Sequence, residues 1–83
     1  MKAITTKYIG PTDHKGSRIS ASDSDGNRVI VPYRSEWDSE DNHGHAALSL
    51  CRKMGWAGTL VCGHIKGGMV FVFTQGAARI VAR

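Results

Sequence analysis

Helical periodicity occurs in a single stretch of this chain, and that stretch falls between three β-rich runs and two more. A lone helix among several strands has few ways to fold, because a sheet needs a cover for its apolar face and only one helix is on offer. The stretch is "SEWDSEDNHGHAALSLCRKMGW", residues 35–56. Asp38 or Ser39 suits the N-cap, and Glu40 and Asp41 follow in the first turn, where the helix dipole favours carboxylates. Arg52 and Lys53 fill the last turn and Gly55 stands where a C-terminal glycine is expected. His43, Ala47, Leu50, Cys51 and Met54 repeat at helical spacing and predict one inward stripe. Gly44 interrupts it at a cost of about 1 kcal/mol relative to alanine.

The flanking runs read as strands. Residues 2–9 are β-branched and aromatic, and "GPTDHKG" (10–16) is a loop by its turn chemistry. Residues 17–22 alternate with Ile19 and Ala21 on one face, and 28–33 place Val29, Val31 and Tyr33 together. Pro32 cannot donate to a ladder and belongs at a strand end or an edge. Between these two runs, Asp25-Gly26-Asn27 favours a reversal. A calcium loop starting at Asp23 would need a carboxylate at its twelfth position, which is Arg34, and helices on both sides. Residues 58–65 and 69–73 flank Lys66-Gly67-Gly68 as a second hairpin, and "MVFVF" is apolar on both faces, as a central strand would be. The reading is an α+β fold, β-β-β-α-β-β, with an antiparallel sheet of about five strands and one helix packed on one face. Residues 1–75 form one domain and 76–83 a short basic tail.

Eighty-three residues allow one small domain, which buries only about 60% of its unfolded surface and has little volume for an enclosed active site beside its core. No apolar run approaches a membrane span, and "MKAITTKYIGPT" lacks the apolar stretch of a signal peptide, so a cytoplasmic protein with free thiols at Cys51 and Cys62 is expected. Charge is unevenly spread. Residues 1–41 carry six Lys/Arg and all seven Asp/Glu, whereas residues 42–83 carry five Lys/Arg and no acid. That asymmetry points to an anionic partner or acidic surface.

Candidate chemistry is thin. His43, His45, Cys51, Cys62 and His64 are zinc-capable, but structural zinc sites pair ligands at wider spacing. Adjacent helical side chains two apart diverge, so His43 and His45 cannot share an ion, whereas Cys62 and His64 share a face of a strand. A Cys62 nucleophile with His64 as base would lack a group to orient the histidine. The carboxylates of 36–41 are explained as cap and dipole residues, and no phosphate-cradling glycine motif is present. No enzyme activity, cofactor or metal is expected. Arg18 and Arg28, read as neighbours across the 17–33 hairpin and flanked by Lys7, Lys15 and Arg34, could meet phosphates, but no aromatic pattern for stacking bases accompanies them. Tyr33, Trp37 and Trp56 bracket the helix as lids on the core.

The strings "MKAITTKYIGPT", "GSRISASDSDGN", "PY", "CRKMGW" and "VFVF" together resemble small hypothetical proteins carried on proteobacterial phages, plasmids and integrated elements. The resemblance runs from Met1 to Phe73 and transfers no catalytic residue, because these strings are turns, caps and core strands. It implies an accessory gene of a mobile element, a setting in which small proteins act stoichiometrically. An anti-CRISPR-type inhibitor bound to a host protein or ribonucleoprotein complex is one such reading, a DNA- or RNA-binding accessory protein using the basic, open face of the sheet is the alternative, and a zinc- or Cys-dependent protein built on Cys62 and His64 is the third. Arg18, Arg28, Arg52, Lys53 and Lys66 are the expected contacting charges.

Overall fold

The structure, a computed structural model, describes residues 3–74. Its elements run β1 (Ala3–Ile9), β2 (Arg18–Ser22), β3 (Arg28–Pro32), α1 (Ser39–Met54), β4 (Leu60–Ile65) and β5 (Gly68–Phe73). The architecture is the expected α+β one, and element ends move by no more than two residues. The basic tail expected at 76–83 lies outside the described residues.

All strand pairs are antiparallel, in the order β3-β2-β1-β5-β4. β1 therefore lies at the centre, joined to the last strand through Thr5↔Val70 and to the second through Thr5↔Ser22. β5 is an interior strand, as its two apolar faces suggested, and β3 and β4 are the edges. Pro32 closes β3, where its missing N–H breaks no ladder bond.

Local chemistry fixes each reversal. In the β2–β3 turn the Asp23 carboxylate accepts from the Asp25 and Asn27 N–H groups at 3.0 and 2.9 Å and from Asn27 Nδ2 at 2.9 Å, while Gly26 takes the positive φ of 91°. The acidic loop is a chain reversal. The β4–β5 turn places Gly67 at φ 79°, and Gly68 lies so close to β1 that a Cβ there would collide with the Thr6 carbonyl.

α1 is capped as its sequence requires. Asp38 accepts from the Asp41 N–H at 2.8 Å, and Gly55 adopts the left-handed conformation with its N–H on the Arg52 carbonyl. The helix buries Asn42, His43, Ala46, Ala47, Leu50 and Cys51 over β1, β2, β3 and part of β5. Facing it, Ile4, Ile19, Ala21, Met69 and Phe71 complete the core. Each large aliphatic group removed from water here contributes about 1.5–3 kcal/mol. Tyr33, Met54, Trp56 and Phe73 pack around the rim, and Trp56 and Phe73 meet edge to face at 6.4 Å. Trp37 instead sits on the outer side of the helix, against His45 and the Arg34 guanidinium.

Candidate interaction surface

The two faces of the sheet differ in character. Side chains alternate along a strand, so the register that buries Ile4 and Thr6 sends Thr5, Lys7 and Ile9 to the far side. Across the sheet, one line of that far side reads Ile30, Ser20, Lys7, Gly68, Ile65, and the next reads Arg28, Ser22, Thr5, Val70, Gly63. Arg18 pairs with Ile9 and Pro32 at one end, and Val61 with Val72 and Ala3 at the other. No described element covers this face. Among the described residues it holds the Lys7, Arg18 and Arg28 cations between aliphatic side chains, and no strand carries an Asp or Glu. Ile30, Val61 and Ile65 are 45%, 52% and 43% exposed, far beyond a core residue's share. Within the face, Arg18 Nε is shielded from solvent and has no hydrogen-bond acceptor among the described residues, a state that costs free energy until an acceptor is supplied.

The expected contact residues do not form one patch. Arg18 stands opposite Pro32 and Arg28 opposite Ser22, so the two lie at opposite ends of the β2–β3 hairpin rather than side by side. The reason is register: the Asp23–Asn27 loop pairs Ser22 with Arg28, and each further step along β2 moves Arg18 away. Lys7, on β1, stands one strand over from Arg18 and diagonal to it. Arg28 has Lys53 beside it, because Lys53 Nζ donates to the Arg28 carbonyl at 3.0 Å. Arg52 is tied to Ser49 on the outer side of the helix, and Lys66 occupies the β4–β5 turn. Arg18 and Arg28 thus belong to the open face, while Arg52 and Lys53 belong to the helix end.

On the other side of the sheet, α1 stops short of β4. A shallow groove of about 240 Å³ runs between them, lined by Gly44, Leu48, Gly58, Leu60, Cys62 and Phe71. Gly44 and Leu48 also line a second depression of about 370 Å³ with Trp37, Glu40, Asp41 and His45. Gly44, a flaw in helix propensity, is what leaves room along this side of the helix. His64 Nε2 lies 3.1 Å from Glu40 Oε1 at the groove's rim, an exposed pair worth little by itself.

The residues weighed for metal or nucleophilic chemistry are dispersed. His43 is buried, with Nδ1 2.6 Å from Thr6 Oγ1, and the same hydroxyl reaches the Met69 carbonyl at 3.3 Å. Burial, and secondarily the charge of His64, push the His43 pKa below its ordinary value. His45 packs on Trp37 instead. Cys51 lies in the core, where desolvation raises its pKa against the smaller opposing effect of a backbone hydrogen bond, and Cys62 is an exposed free thiol. Among the described residues no three His, Cys, Asp or Glu side chains converge as a metal site. No helix among them is long and apolar enough to cross a membrane.

Two structural residues carry no simple sequence signal. Asn42 is a polar side chain on the inward stripe, nearly fully buried, and it binds both the N–H and the carbonyl of Arg34. Thr6 is buried on β1 opposite His43. Both are visible only once the helix is laid on the sheet.

Known protein families, curated proteins and solved structures contain no match to this chain.

Proposed function

We propose that this protein acts by stoichiometric binding rather than turnover, laying the open face of its sheet on an acidic protein surface with an apolar centre. The observation that carries the reading is the composition of that face, where Lys7, Arg18 and Arg28 stand among exposed Ile and Val side chains and no described strand carries an Asp or Glu. Exposed aliphatics surrounded by cations suit a partner that offers carboxylates around an apolar patch.

A protein fits better than nucleic acid. Five strands span about 19 Å, wider than the major groove of about 12 Å that admits a two-stranded ribbon. The face also lacks the aromatic side chains on which single-stranded bases stack. The mobile-element setting implied by the resemblance makes a host complex, such as a nucleic-acid-processing defence machine, the natural partner class.

The test compares immobilised wild type with Lys7→Glu/Arg18→Glu and Arg52→Glu/Lys53→Glu variants. Host lysate and a labelled oligonucleotide are offered to each. Capture of a host complex that is lost only in the first variant, with no retention of the oligonucleotide, supports the reading. Salt-sensitive oligonucleotide binding that depends on Lys7 and Arg18 refutes it in favour of direct nucleic-acid recognition. Equal capture by both variants refutes it as well.

A further inference from the structure

The two edges of the sheet are finished differently. On β3, the Tyr33 N–H to Ser17 carbonyl bond sets the alternation, so Arg28, Ile30 and Pro32 direct their backbone groups outward. That edge is blunted twice over. Pro32 has no N–H to offer, and the Arg28 carbonyl already accepts from Lys53. On β4, the Thr74 N–H to Thr59 carbonyl bond sets the alternation in the same way. Val61, Gly63 and Ile65 therefore bond inward to β5, and the N–H and C=O groups of Leu60, Cys62 and His64 point away from the sheet.

Among the described residues, none of the usual protections occurs on β4. Its sequence, LVCGHI, has no proline, Lys, Arg, Asp or Glu, and α1 does not lie over it. Exposed apolar groups flank it on both faces, with Val61 and Ile65 on one and Leu48 of the groove wall on the other. Such an edge calls for another strand.

We propose that the occupant is a second copy of this chain, paired antiparallel through β4 about a two-fold axis at Cys62. The three outward residues are symmetric about Cys62, so this register pairs Leu60 with the partner's His64, and Cys62 with the partner's Cys62. It satisfies every outward group with about six hydrogen bonds. On the opposite face it sets Val61 across from the partner's Gly63, where the missing side chain leaves room for the valine. Charge favours self-pairing here. Neither β4 nor β5 carries a Lys, Arg, Asp or Glu, whereas the sheet cations are on β1, β2 and β3, so two basic chains meet at the edge where repulsion is least. The product is one continuous sheet with both open faces on the same side. This pairing is independent of the partner reading above.

The test is sedimentation equilibrium of the full chain across a concentration series, with Cys62→Pro and Val61→Lys alongside. Proline at 62 removes only an outward N–H and spares the β4–β5 ladder. The symmetric pair loses two hydrogen bonds, each worth about a factor of five, so the dimer dissociation constant rises about 25-fold or more. In the wild type, diamide oxidation should give a Cys62–Cys62 cross-linked dimer, which is absent in Cys62→Ser. A wild-type chain that stays monomeric up to millimolar concentration overturns the proposal. So does a dimer unaffected by both edge variants, or one that diamide does not cross-link. If Cys62→Pro fails to fold, Val61→Lys and the cross-link decide the matter.

Discussion

Replacing Asn42 with alanine should destabilise this domain more than any other exchange of a polar side chain in α1. Asn42 Oδ1 accepts from the Arg34 N–H at 2.8 Å, and its Nδ2 donates to the Arg34 carbonyl at 2.9 Å and the Asp38 carbonyl at 3.0 Å. One side chain thus pins the β3–α1 connection onto the helix at the point where the chain leaves the sheet. At about 1 kcal/mol for each well-formed bond, alanine forfeits about 3 kcal/mol, and the Arg34 groups lose a partner in a partly buried place. A chain of this length has about 4–12 kcal/mol of stability in all, so the loss is a large share of it. Urea titration followed by far-UV circular dichroism should show a lower midpoint at an unchanged slope, and Tm should fall by about 12–24 °C. Asn42→Asp should fall as far, since its carboxylate would face the Arg34 and Asp38 carbonyls. A loss below about 1 kcal/mol in Asn42→Ala would refute the view that this side chain holds the connection.

Three further outcomes are expected. Gly68→Ala should cost about 1–3 kcal/mol, because its Cβ meets the Thr6 backbone of the neighbouring strand, while Gly16→Ala, with open space around it, stays within about 0.5 kcal/mol in the same urea assay. His43 titrates below its ordinary value in the folded chain, so the unfolded chain takes up the proton first. Stability is then undiminished above pH about 6.5 and is lost as pH falls from there through the lower folded value, a slope that urea midpoints should show in wild type and not in His43→Gln. Cys62 should react at once with an aromatic disulfide reagent, and Cys51 only as the chain unfolds.

Much of the fold was legible because the decisive signals are local. Asp38 and Gly55 bound the helix by their own hydrogen-bonding and φ requirements, and the Leu50 and Cys51 stripe needs only helical spacing. Sheet order was not legible. The β1–β5 pairing joins residues more than sixty positions apart, and no turn connects them. The separation of Arg18 from Arg28 was readable in principle, since counting outward from the Asp23–Asn27 loop puts Ser22, not Arg18, opposite Arg28. Asn42 and Thr6 escaped because a buried polar side chain declares itself through its partner, and the partners lie on other elements. As for the surface, a single helix covering one side of the sheet already points to the open face, but not to the cations on it: Lys7 stands at the centre of the open side, whereas Arg52 and Lys53 do not belong to it.

The most direct test of the central claim, that the open sheet face is the binding surface, is lysine footprinting of the complex by acetylation and mass spectrometry. Lys7 should lose its reactivity when the partner is bound, while Lys53, at the helix end, keeps its reactivity relative to the free chain. Protection of Lys53 with Lys7 still fully reactive would contradict the account.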